Sequence, residues 1–125
     1  MTNQAQNSNP QKKTEYNLEE RTATFGLDII RYCKSLKLTV INKPLINQLV
    51  RSGTSVGANY MEANGADSKK DFKSKISICK KEAKETMHWL RMLAETNPEN
   101  TAVSRKLWCE VHELSLIFGS ICRKI

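Results

Sequence analysis

The chain has 125 residues and carries a formal net charge of +7, with a pI near 9.4. This length allows one domain with a sizeable hydrophobic core and is too short for two ordinary domains. Hydrophobic residues make up 39% of the sequence and aromatic residues only 6%, so small and aliphatic side chains must fill the core, which suits packed helices. The positive charge favours an anionic partner, nucleic acid before a membrane surface. A basic balance that only maintains solubility is the alternative.

Several protein classes are excluded by what the sequence lacks. It contains no window of about 18 apolar residues, so we expect no membrane span and no membrane partner. Residues 1–15 are polar and have no apolar segment of the kind found in secretory signals. We therefore predict a disordered N-terminal tail over residues 1–15, a single domain over residues 16–125, and a cytoplasmic location. The cysteines form no CxxC pair, and we expect small buried hydrophobic residues rather than zinc ligands at Cys33, Cys79, Cys109 and Cys122.

The first predicted helix runs from about residue 17 to residue 37. Asn17 is expected to cap its N-terminus, and acidic residues follow in the first turn, where the helix dipole favours them. Apolar residues recur at alternating spacings of four and three, which indicates one buried seam. The seam residues are Leu18, Thr22, Phe25, Ile29, Tyr32 and Leu36.

The second predicted helix runs from about residue 42 to residue 65, with Asn42 as its N-terminal cap. Gly53 and Gly57 lie inside this helix, where each glycine costs roughly 1 kcal/mol relative to alanine. The sequence therefore predicts that another backbone approaches the helix closely at these two positions.

The third predicted helix covers residues 68–95, with Ser68 as its cap, and it carries three different faces at 100° per residue. A buried seam consists of Phe72, Ile76, Cys79, Ala83, Thr86, Leu90 and Ala94. A second side, called the basic face below, consists of Lys70, Lys73, Lys80, Lys81, Lys84 and Arg91. The remaining side is acidic and aromatic and includes Glu82, Glu85 and Trp89. This separation of charge is the main functional signal in the sequence.

The fourth predicted helix runs from about residue 98 to residue 123. Its seam consists of Val103, Leu107, Val111, Leu114, Phe118, Ile121 and Ile125. Four amphipathic helices joined by loops of a few residues predict an all-α fold, an antiparallel up-down-up-down four-helix bundle.

A polar stripe on the second helix consists of Arg51, Ser55, Asn59 and Glu62, at spacings of four, four and three. A solvated face is one interpretation. The other is a helix–helix or subunit contact, in which Arg51 exchanges hydrogen bonds with the carboxylates of Glu62, Glu82 and Glu85. Trp89 lies beside these carboxylates and away from the buried seam, which favours an anchor in a subunit interface over the edge of the core.

Catalytic and metal-binding patterns are weak. Glu85 and His88 have the ExxH spacing of di-iron bundles, but such sites need a second ExxH and two further glutamates. The other histidine, His112, has no glutamate three residues before it. No Gly-rich phosphate loop and no Ser/His/Asp arrangement is present. We expect no enzymatic activity, no metal and no other cofactor.

The stretch from Leu49 to Leu93 resembles the four-helix-bundle family encoded within intervening sequences of bacterial 23S ribosomal RNA genes. The matching residues are Arg51-Ser52-Gly53-Thr54-Ser55, Ala58-Asn59, Glu62, Ser68-Lys69-Lys70-Asp71-Phe72, Lys75, Lys81-Glu82-Ala83, Glu85-Thr86 and Trp89-Leu90. That family is also similar to the accessory bundle protein of diversity-generating retroelements. The resemblance implies a homo-oligomer, a pentameric ring in structures of the family, with nucleic-acid binding and no catalytic activity; in the retroelement relatives it also implies binding to a reverse transcriptase.

Together these observations predict a homo-oligomeric bundle that binds RNA or DNA through the basic face. Lysines that have no interleaved aromatic residues contact phosphates rather than base edges, so we expect weak sequence specificity and strong salt dependence. The alternative is a scaffold or adaptor that binds a protein and does not bind nucleic acid directly.

Overall fold

A computed structural model describes residues 17–125, and the predicted tail over residues 1–15 lies outside the described residues. Within them the chain forms four α-helices and no strand, and the predicted all-α bundle is confirmed. The helices are α1 (Leu18–Lys34), α2 (Asn42–Asn64), α3 (Lys69–Thr96) and α4 (Thr101–Lys124), and a short 3-10 turn, Pro98–Asn100, precedes α4. None of these helices is both long enough and apolar enough to cross a membrane.

One core runs through the centre of the bundle. The predicted seam of the first helix is buried at all six positions, because α1 turns this side towards the interior of the bundle. Two positions predicted to be in the core of α4 are wrong: Val103 is 50% exposed and Ile125 is 43% exposed. Val103 faces a gap between α1 and α4, and Ile125 is the last residue of the chain.

The glycines of α2 lie where α1 packs closely against it. A Cβ added at Gly57 would lie 3.3 Å from the carbonyl carbon and oxygen of Thr22, so the predicted backbone approach is confirmed there. A Cβ at Gly53 would lie 3.0 Å from two side-chain carbons of Ile29, so a core side chain rather than a backbone fills the space. The glycines thus permit a short distance between α1 and α2.

A buried polar cluster closes one end of the bundle. Asn42 was expected to cap α2, but it lies inside the helix and is only 3% exposed. Its Nδ2 donates to Oδ1 of Asn97 at 2.9 Å, and Nδ2 of Asn97 donates back to Oδ1 of Asn42 at 3.1 Å. Thr39 takes the capping role, because its Oγ1 accepts from the Asn42 backbone N–H at 2.9 Å.

The predictions for the two ends of α1 are wrong, and the predicted cap of α3 is confirmed. Asn17 makes no side-chain capping bond, and α1 ends at Lys34 rather than near residue 37. Ser68 is confirmed as the cap of α3, since its Oγ accepts from the Asp71 backbone N–H at 3.0 Å.

The bundle is open along one side. Consecutive helices pack along their lengths, whereas α1 and α4 diverge around a groove of about 1220 Å³ with Phe25, Tyr32 and Leu107 among its lining residues. Arg21 of α1 bridges one part of this gap: its Nε donates to Glu110 at 2.7 Å and its Nη2 donates to Glu113 at 2.8 Å. The hydrogen bond to Glu110, together with the charges of Glu110 and Glu113, raises the pKa of the Arg21 guanidinium. Ion pairs therefore bridge α1 and α4 on the side where the bundle is open.

The cysteines divide into two pairs. Cys33 and Cys79 are buried, and burial raises the pKa of the Cys33 thiol to about 11 and that of Cys79 to about 12. Cys122 is partly buried, but Cys109 is exposed, so the expectation that all four are buried hydrophobic residues is wrong for Cys109. Cys109 lies on the side of α4 that borders the groove.

Candidate nucleic-acid interface

The six residues of the basic face lie along one side of α3. Five of them are exposed and Lys80 is partly exposed. None of the six forms an ion pair within residues 17–125, whereas Arg21, Arg31, Arg51 and Lys75 each pair with a carboxylate there. The structure thus separates cations with acidic partners from cations that have none.

The antiparallel register of α3 and α4 determines which part of α4 borders the basic face. Ser77 Oγ lies 3.6 Å from Cys122 Sγ. A Cβ added at Gly119 would lie 3.9 Å from Lys80 Nζ. Each step forward along α3 corresponds to one step back along α4, since both helices rise about 1.5 Å per residue. This register places Arg91 of α3 level with Trp108 of α4.

Two cations meet above a glycine near the C-terminus of α4. A Cβ added at Gly119 would lie 3.5 Å from Arg123 Nη1 and 3.9 Å from the Lys80 ammonium. Neither side chain has an acidic partner within the described part of the chain. Two like charges held together without an intervening carboxylate form a favourable position for a phosphate group. Arg123 is not among the predicted site residues, and the contacts around Gly119 place it beside Lys80.

An aromatic pair of α4 continues the same surface. The rings of Trp108 and His112 stack with their centroids 5.0 Å apart and an interplanar angle of 29°. Both residues are partly exposed. They lie on the side of α4 that faces α3, as Gly119 does, because all three fall within one sector of the helical wheel. The Trp-x-x-x-His spacing was the available sequence signal, but it does not show which helix the pair faces.

The polar stripe of α2 faces α3 within the same chain. Arg51 Nη1 lies 3.2 Å from Glu82 Oε1, and Arg51 Nη2 also pairs with Glu85. Glu62 is not part of this network, since its carboxylate lies 3.0 Å from Lys75 Nζ. Glu82 and Glu85 of α3 are therefore paired on the α2 side, away from the basic face.

The other three predicted contact residues make more local interactions. Ser55 Oγ donates to the Arg51 carbonyl at 2.6 Å, and Asn59 Nδ2 donates to the Ser55 carbonyl at 2.9 Å. Trp89 is partly buried against the core, and its Nε1 is shielded from solvent without an acceptor in the described chain. Its ring meets His88 edge-on, with centroids 4.8 Å apart.

The ExxH pair is engaged elsewhere, because Glu85 pairs with Arg51 and His88 contacts Trp89. Among residues 17–125 no group of three or more His, Cys, Asp or Glu side chains is placed to hold a metal ion.

The fold and this surface define a class of protein: a small antiparallel four-helix bundle whose third helix carries cations on one side and paired carboxylates on the other. The family model described as 23S rRNA-intervening sequence protein matches residues 14–120. The chain belongs to this family.

A solved structure supports the assignment. It is the crystal structure of a protein of unknown function from the S23 ribosomal protein family of Bacteroides thetaiotaomicron, with 30% sequence identity and a TM-score of 0.72. The similarity covers 83% of this chain and 96% of that one. A search of curated proteins finds no match.

Proposed function

We propose that this protein is a non-catalytic bundle that binds RNA or DNA through the basic face, largely by phosphate contacts. The observation that carries the proposal is that all six cations of this face lack an ion-pair partner in residues 17–125, while Glu82 and Glu85 of the same helix pair with Arg51. The face spans about 32 Å from Lys70 to Arg91 at 1.5 Å per residue. Several consecutive phosphates of a nucleic-acid strand fit along this length.

Charge reversal tests the proposal. Lys73, Lys80 and Lys84 are changed together to Glu, and binding of short RNA and DNA oligonucleotides is measured by fluorescence anisotropy from 50 to 300 mM salt. The wild type is expected to bind with micromolar or tighter affinity, and log K is expected to fall linearly with log salt because phosphate contacts release counterions. The variant is expected to lose this binding.

A matched control variant distinguishes the effect of the basic face on binding from the effect of the net charge. Lys34, Lys37 and Lys43 are exposed near the connection between α1 and α2, outside the helix that carries the basic face. Changing these three to Glu alters the net charge by the same amount, and this variant should keep most of its affinity at 150 mM salt, where charges further apart than about 8 Å are screened. Equal loss in both triple variants, or no binding by the wild type at 50 mM salt, would refute the proposal.

We further propose a homo-oligomer, a pentamer by the resemblance described above. Exposed apolar side chains on α1 support a subunit contact: Leu27 is 51% exposed and Ile30 is 36% exposed. The solution mass of the wild type, measured by light scattering, should be a multiple of 14.2 kDa. Leu27→Glu should reduce it, and Trp89→Ala should reduce it if Trp89 anchors the interface. A monomeric wild type at micromolar concentration would contradict the proposal.

A protein adaptor is the second candidate function, and the connection between α1 and α2 favours it. Leu38, Val40 and Ile41 are 77%, 89% and 59% exposed there, which is unusual for three large apolar residues so close in sequence. The resemblance to the accessory protein of retroelements adds a reverse transcriptase as the kind of partner. Replacing all three with Ser should abolish capture of such a partner and leave oligonucleotide binding unchanged. Unchanged capture by this variant would eliminate this surface as the docking site.

A further inference from the structure

We infer that the preferred ligand of the basic face is a single strand, with a base stacked on the Trp108–His112 pair while the cations of α3 and Arg123 hold the adjacent phosphates. This inference rests on the proposed function, because it places the aromatic pair within the same binding surface. It goes further by naming the form of nucleic acid.

The geometry brings an aromatic platform to the edge of a row of unpaired cations. Trp108 lies level with Arg91 in the register set by the contacts of Ser77 with Cys122 and of Lys80 with Gly119. Its indole is anchored against the core, so it loses little side-chain freedom when a ligand binds. The stacked His112 ring lies 5.0 Å from it and extends the aromatic stack, to which a base can add. A rigid aromatic surface next to cations is the usual arrangement in proteins that bind single strands.

A duplex cannot use this platform in the same way. Its bases are stacked on one another and present only their edges, so an aromatic ring at the surface gains no stacking contact without unpairing a base. A single strand exposes both faces of each base, and it can place a phosphate near Lys80 and Arg123 while a base further along reaches His112. The distance along α4 from Gly119 to His112 is about 10 Å at 1.5 Å per residue, which one or two nucleotides can span.

Stacking on the Trp108–His112 pair also limits how well the protein can distinguish one base from another. Every base has an aromatic face, so stacking does not discriminate strongly among bases. The structure therefore assigns the protein a preference for unpaired strands over paired ones rather than for a particular sequence.

The test compares three 12-nucleotide probes at one salt concentration: a single strand, the corresponding duplex, and a single strand of the same length whose central nucleotides are abasic. The wild type should bind the intact single strand more tightly than the other two. Trp108→Leu should weaken binding of the intact strand by about fivefold to 150-fold, the range reported for one base–aromatic stack. Affinity for the duplex and for the abasic strand should change by less than about twofold.

Three further variants show whether a loss of binding comes from the aromatic pair or from misfolding. His112→Ala removes the partly exposed ring and keeps the indole anchored, and Trp108→Phe should restore much of the affinity that Trp108→Leu loses. Trp89→Phe leaves Trp108 as the single tryptophan of the chain. In this variant, the intact single strand should quench tryptophan fluorescence and the abasic strand should not.

The outcomes separate this inference from the proposed function. If Trp108→Leu and His112→Ala bind the single strand as the wild type does, while the triple Lys73, Lys80 and Lys84 variant does not bind, the stacking inference is overturned and the phosphate-binding proposal stands. Equal wild-type affinity for all three probes would also overturn the inference. If the triple variant binds as the wild type does, the proposed function fails and the inference fails with it.

Discussion

The contact between α1 and α2 predicts how Gly57→Ala changes the free energy of unfolding, and two opposing effects decide the sign of that change. Gly57→Ala gains about 1 kcal/mol in helix propensity, because Ala is a better helix former than Gly. The new Cβ would lie 3.2 Å from Thr22 Oγ1 and 3.3 Å from the Thr22 carbonyl carbon and oxygen. Thr22 Oγ1 already donates to the Leu18 carbonyl at 2.8 Å and cannot turn away without losing that bond.

The free-energy cost of this overpacking exceeds the gain in helix propensity. Extra carbon atoms in a packed interior cost about 1–3 kcal/mol when the backbone must move, so we expect Gly57→Ala to lower the free energy of unfolding by about 1 kcal/mol. For a domain of this size the melting temperature should fall by roughly 4 °C. Circular dichroism with heat and urea melts measures both quantities.

Gly26→Ala is the matched control, because Gly26 lies on the α1 side of the same interface. A Cβ there would lie 3.7 Å from Thr54 Cα, which is an ordinary contact. This variant should be stabilised by up to about 1 kcal/mol. If Gly57→Ala melts at or above the wild-type temperature, the close backbone contact does not determine stability and the reasoning is wrong.

Further predictions concern buried polar and thiol groups. Asn97→Ala leaves the Asn42 side-chain amide without this buried partner and should lower the free energy of unfolding by about 2 kcal/mol. In a double-mutant cycle measured by chemical denaturation, the variant that also carries Asn42→Ala should lose less unfolding free energy than the sum of the two single variants. Additive losses would contradict the reciprocal pairing. At pH 8 a disulfide thiol reagent should modify only two cysteines of the folded protein and all four in denaturant, because burial shields Cys33 and Cys79 and raises the pKa of each thiol to about 11 and about 12. Rapid modification of a third thiol in the folded state would refute the burial.

The distribution of charge on α3 explains how this helix can pack against α2 and also present a positively charged surface. Glu82 and Glu85 of α3 pair with Arg51 of α2, and Lys75 of α3 pairs with Glu62 of α2, which ties the second and third helices together. These pairs are at least partly exposed, so each contributes little to stability. Helical spacing places Glu82 and Glu85 on the α2 side, and the unpaired lysines on another side of α3 produce a positive potential. The separation of charge on α3 therefore bears more on the proposed binding of nucleic acid than on the stability of the fold.

The sequence by itself determined the features that depend on neighbours along one helix. The 3.6-residue periodicity predicted the four helices, the buried seam of the first helix and the segregation of the lysines to one side of α3, because residues three and four apart share a face in any helix. Ser68 could be recognised as a cap for the same reason, since its acceptor and the Asp71 N–H are three residues apart. Gly53 and Gly57 indicated a close helix contact before the contacting helix was known.

Only the tertiary structure decided which faces meet. Asn42 and Asn97 are 55 residues apart in sequence, and their reciprocal hydrogen bonds depend on how the ends of α2 and α3 align. The approach of Lys80 and Arg123 above Gly119 depends on the register of α3 against α4, as does the position of Trp108 beside the basic face. Core side chains of α3 and α4 set that register when they interdigitate. A helical period fixes the direction of a side chain around its own axis but carries no information about the neighbouring helix.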